Sequence, residues 1–64
     1  MTDQGRLAAY EAFAAEVREE LSSTVARMED LQAQNKVRTA TYRQLFAARV
    51  TLKEIDRRLV SHGL

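Results

Sequence analysis

The chain has 64 residues, room for one domain at most. Ten Lys and Arg balance nine Asp and Glu to a net charge of +1, with no Cys and one His; disulfides and thiolate metal sites are excluded, and a lone His argues against a zinc cage. A core this small supplies only about 3–5 kcal/mol, so self-association or a larger partner is left as the supplement that small chains require.

Pro is absent, and the two Gly stand at positions 5 and 63, where helix breakers do least harm. Charged residues at 30% and hydrophobic ones at 45% fit a folded helical protein rather than a disordered one. No apolar run approaches the ~20 residues of a membrane span. Met1-Thr2-Asp3-Gln4 has neither the basic nor the apolar region of a signal peptide. The expected setting is the cytoplasm, with no membrane contact.

The first predicted element is a helix over about residues 4–34. Thr2 or Asp3 can cap it, and Asp3 suits its positive end. Leu7, Tyr10, Ala14, Val17, Leu21, Thr24, Met28 and Leu31 then follow at steps of three and four. That spacing keeps one stripe of a helix facing a partner helix. Ser22-Ser23-Thr24 is the softest stretch, but the apolar residues on either side stay in phase, so the helix continues through it. Phe13 and Val25 border the seam and widen it beyond a two-in-seven stripe, as a bundle needs.

The pattern lapses at Gln32-Ala33-Gln34-Asn35-Lys36. Asn35 is the one residue in mid-chain suited to a left-handed stop. A turn over about 35–39 follows, and a second helix over about 40–62, capped by Thr39 or by Thr41 in a Thr41-x-x-Gln44 capping box. Leu45, Ala48, Leu52, Ile55 and Leu59 repeat the three-four spacing, extended by Thr41 behind and His62 ahead. Gly63 suits the position just past the helix end, with Leu64 folding back.

A short turn makes the helices antiparallel neighbours. With the turn centred near 37, residue i lies level with about 74 − i. The predicted core is Leu7, Tyr10, Ala14, Val17, Leu21, Met28, Leu31, Leu45, Ala48, Leu52, Ile55 and Leu59. Charge is split along the chain: three Arg against seven Asp and Glu over residues 1–35, then seven Lys and Arg against two acids over 36–64. Level pairing sets Glu16, Glu19 and Glu20 beside Lys53, Arg57 and Arg58, so compensation within the hairpin explains the split. The other explanation is an external polyanion on the basic half.

The second helix also carries a second apolar strip, Tyr42, Phe46, Val50, Val60 and Leu64, away from its seam. One partner helix covers one face, so this strip, with Phe13 and Val25 on the first helix, marks an association surface. The expected fold is an all-α antiparallel two-helix hairpin, residues 1–64 as one domain, dimerising into a four-helix bundle through Phe13, Val25, Tyr42, Phe46 and Val50.

No chemistry is legible. There is no glycine-rich phosphate loop and no Cys nucleophile. Ser61 neighbours His62, but adjacent helical residues do not face one another. A di-iron bundle needs Glu-x-x-His, and the residue three before His62 is Leu59. The expectation is a protein without catalytic, cofactor or metal residues: a helical protein–protein interaction module, a small regulator or assembly subunit acting as a homo-oligomer. The alternative is a hairpin that binds RNA or DNA through Arg43, Arg49, Lys53, Arg57 and Arg58, with Tyr42 and Phe46 as stacking surfaces. In length and hairpin plan the chain resembles the plasmid Rop family, RNA-binding dimers of helical hairpins. The resemblance covers size and architecture and carries over no functional residue.

Overall fold

A computed structural model describes residues 2–64. It is all-helical: α1 spans Asp3–Ala33 and α2 spans Ala40–Ser61, packed against each other, with no strand among the described residues. Both start on threonine. The Thr2 hydroxyl accepts from the Gly5 amide at 3.1 Å, satisfying one of the first-turn amides that have no partner inside the helix. The Thr39 hydroxyl accepts from the Tyr42 amide at 3.2 Å and donates to the Lys36 carbonyl at 2.9 Å. One side chain thus ties the turn to α2. The cap is Thr39, and the capping box expected at Thr41 does not form, because Thr41 already lies inside the helix.

Both helices stop in the same way. Asn35 has φ 59°, and around it the Lys36 amide donates to Leu31 O and the Asn35 amide to Gln32 O. Gly63 has φ 88°, with Leu64 N–H on Leu59 O and Gly63 N–H on Val60 O. Each is a Schellman stop, which requires a left-handed residue. Ser22-Ser23-Thr24 lies within the continuous α1.

Two side-chain pairs fix the register. Arg18 Nε donates to Asp56 Oδ1 at 2.9 Å, and Gln32 Nε2 to the Tyr42 hydroxyl at 2.9 Å. Both pairs sum to 74, so the helices run antiparallel in the alignment that the sequence implies. The buried apolar residues are Ala14, Val17, Met28, Leu45 and Leu52, joined by Thr24. Leu21, Leu31, Ala48, Ile55 and Leu59 are half-buried at the margins of that seam.

Two expected core residues are not in the core. Leu7 is 52% exposed and Tyr10 59%. Both are in phase with the seam, but α1 has 31 residues and α2 only 22. At ~1.5 Å per residue the longer helix overhangs by about 13 Å. In the observed register Leu7 and Tyr10 lie at or beyond the level where α2 stops. They face the correct side with no helix opposite.

Candidate interaction surfaces

The overhang creates a concavity at the open end of the hairpin. Leu7, Tyr10 and Phe13 from α1 and Ile55, Leu59 and Leu64 from α2 line an open groove of about 570 Å³, with Arg58 and His62 also on its wall. Leu64 folds back beside Leu59 through the Schellman stop. Arg18 ties the end of α2 to α1 from the other edge: its Nη2 donates to the Leu64 carbonyl at 2.6 Å while its Nε pairs with Asp56. A cation there also meets the negative end of the α2 dipole.

Further along, Glu16, Glu19, Glu20 and Ser23 line a shallower cleft of about 350 Å³ with Thr24, Ala48 and Leu52. The three glutamates do not pair with Lys53, Arg57 and Arg58, contrary to the level pairing inferred from sequence. Arg57 and Arg58 instead converge on Glu54 of their own helix, with Arg57 Nη2 at 2.6 Å and Arg58 Nε at 3.1 Å from Oε1. Spacings of three and four on one helix bring these groups together with no tertiary geometry required. The one inter-helix ion pair among the described residues, Arg18–Asp56, has the opposite polarity to the expected ones: its cation is on the acidic helix.

The Glu54 clamp favours the charged forms of its members. Hydrogen bonds from Arg57 and Arg58 lower its pKa from 4.5 to about 2, and the Arg57 pKa is raised in turn. All three side chains are largely exposed, so the clamp supports α2 locally and contributes little to the tertiary fold.

The outer face of α2 is apolar and basic together. Phe46 is 47% exposed and Val50 55%. The Arg49 guanidinium lies over the Phe46 ring, 4.9 Å from its centroid, which covers one face of the ring with a cation. Arg43 and Lys53 are exposed and enter no ion pair among the described residues.

The residues singled out in the sequence therefore fall in different places. Phe46, Val50, Arg49 and Lys53 share the outer side of α2. Tyr42 is half-buried near the turn, held by Gln32, and Val25 is half-buried at the hairpin edge. Phe13 is at the open end, in the groove with Leu7 and Tyr10. Leu64 is a capping residue rather than part of an outer strip. Of the possible polyanion contacts, Arg57 and Arg58 are engaged by Glu54. Sequence reasoning missed the open-end groove, although the unequal helix lengths contained the signal. It also missed the Glu54 clamp, which the spacing of positions 54, 57 and 58 could have revealed.

Among the described residues no group of three or more His, Asp or Glu side chains converges as a metal site would require. No helix among the described residues is long and apolar enough to cross a membrane. Comparison with known protein families, curated proteins and solved structures finds no match for the chain.

Proposed function

We propose that this chain is a non-enzymatic helical interaction module, a small regulator or assembly subunit that works by pairing two hairpins into a four-helix bundle. A cytoplasmic setting belongs to the same proposal. The observation that carries it is the imbalance between core and surface. Among the described residues five apolar side chains are buried, whereas Leu7, Tyr10, Phe13, Phe46, Val50 and Val60 are all between 47% and 60% exposed. The accessible surface is 5119 Å²; a compact monomer of 7.3 kDa exposes about 4,200 Å². A second hairpin packing at about 20° would cover seam residues that α2 is too short to reach. Sedimentation of the wild type against Phe13→Glu and Phe46→Glu tests the proposal. The wild type is expected at about twice its 7.3 kDa chain mass, with at least one variant shifted to the monomer. A wild-type monomer at ~100 μM that still melts cooperatively would overturn it.

A second reading, binding of RNA or DNA, is supported by Arg43, Arg49 and Lys53 standing exposed or half-exposed beside Phe46. Against it, the Glu54 clamp neutralises part of the basic helix. Titration with generic RNA and DNA separates the two: affinity falling steeply with salt supports nucleic acid, and no binding at low salt removes it.

A further inference from the structure

We propose that the second copy docks antiparallel on the groove side of α1, about a two-fold axis beside Phe13, with Arg6 of each copy opposite Glu20 of the other. This rests on the self-association reading and specifies its face and symmetry.

Arg6, Phe13 and Glu20 stand seven residues apart. Successive positions of a seven-residue repeat drift only about 20° around a helix, so the three share one edge of α1. They are spaced by about 10.5 Å along it. The edge is the groove side, since Phe13 lines the apolar groove and Glu20 the acidic cleft next to it. The opposite edge is occupied, because Arg18 binds Asp56 and Gln32 binds Tyr42 there. On the groove side all three residues are exposed, and neither Arg6 nor Glu20 enters an ion pair among the described residues.

The order of charges identifies a second copy as the occupant. An isologous contact requires that a patch complement its own image under a two-fold rotation. Here a cation and an anion lie equidistant on either side of an exposed aromatic ring. Rotation about Phe13 sets ring against ring and forms two Arg6–Glu20 pairs at once. Like charges at those two positions would repel twice. The same rotation lays α1 of the second copy along the Phe13 edge of the groove, next to Tyr10, a seam residue that α2 leaves uncovered.

The test is a charge swap followed by sedimentation equilibrium at low salt. Both positions are exposed, so Arg6→Glu and Glu20→Arg keep the hairpin, which far-ultraviolet circular dichroism verifies. Each variant alone is expected to dimerise at least about tenfold more weakly than wild type, because two attractions become two repulsions. Mixing the two variants should restore dimers, since every cross pair in the mixed species again has Glu against Arg. The double variant Arg6→Glu/Glu20→Arg should recover as well. A wild-type dimer whose affinity neither change alters, or a mixture no tighter than its components, overturns this face while leaving self-association standing. A monomeric wild type overturns both.

Discussion

Several single residues carry terms that can be tested separately. Asn35 is left-handed, with φ 59°, a conformation that only Gly and a few short polar residues adopt cheaply. Asn35→Gly should leave the melting temperature nearly unchanged, whereas Asn35→Val should cost about 1–2 kcal/mol in thermal or urea unfolding. Thr39 caps α2 and holds the Lys36 carbonyl; Thr39→Ala should cost ~1 kcal/mol by the same measurement. Glu54 gives a pH-dependent term. Its pKa in the folded chain is lowered from 4.5 to about 2, so its support of α2 is complete above the ordinary value and is lost as the pH falls towards the folded one. Helicity between those limits should decline in wild type and be flatter in Glu54→Gln. Parallel curves for the two proteins would dissociate the clamp from α2 stability.

The two helices were legible because their periodicity was strong. Asp3–Ala33 and Ala40–Ser61 lie within a residue or so of the expected bounds, and the pairs Arg18–Asp56 and Gln32–Tyr42 keep the expected register. The placement of Leu7 and Tyr10 was not legible, for a physical reason. A heptad pattern states which way a side chain faces, and says nothing about whether the partner helix extends that far. The charged contacts failed for a related reason. Level pairing ignores that Arg57 and Arg58 find Glu54 one turn away on their own helix, at no cost in tertiary geometry. The apolar spacing also puts Tyr42 and Leu64 on the outer strip, but a spacing says nothing of local partners: Gln32 holds Tyr42, and the Schellman stop folds Leu64 back. A mutational contrast follows. Met28 is 2% exposed and Leu52 9%, so Met28→Ala or Leu52→Ala should cost about 2–5 kcal/mol. Leu7→Ala on the overhang should cost less than ~1 kcal/mol in any species lacking a second copy. Denaturant titration at low protein concentration makes the comparison.

At the scale of the molecule, the hairpin extends 49 × 16 × 15 Å and exposes more surface than a compact chain of its mass needs to. Its apolar excess has two locations, the groove at the open end and the Phe46–Val50 side of α2. The groove side also carries the matched charges Arg6 and Glu20, and a dimer there would leave the basic outer face of α2 in solvent. If the groove side is the dimer face, the affinity should weaken as salt rises, since two exposed ion pairs border it. The apolar contact should persist. The measurement that bears most directly on the account is sedimentation equilibrium of the wild-type chain across a concentration range up to ~100 μM. A self-associating hairpin should show a reversible rise from 7.3 kDa to about twice that mass, with the thermal midpoint rising alongside it. A single 7.3 kDa species at every concentration, melting cooperatively at an unchanging midpoint, would contradict it.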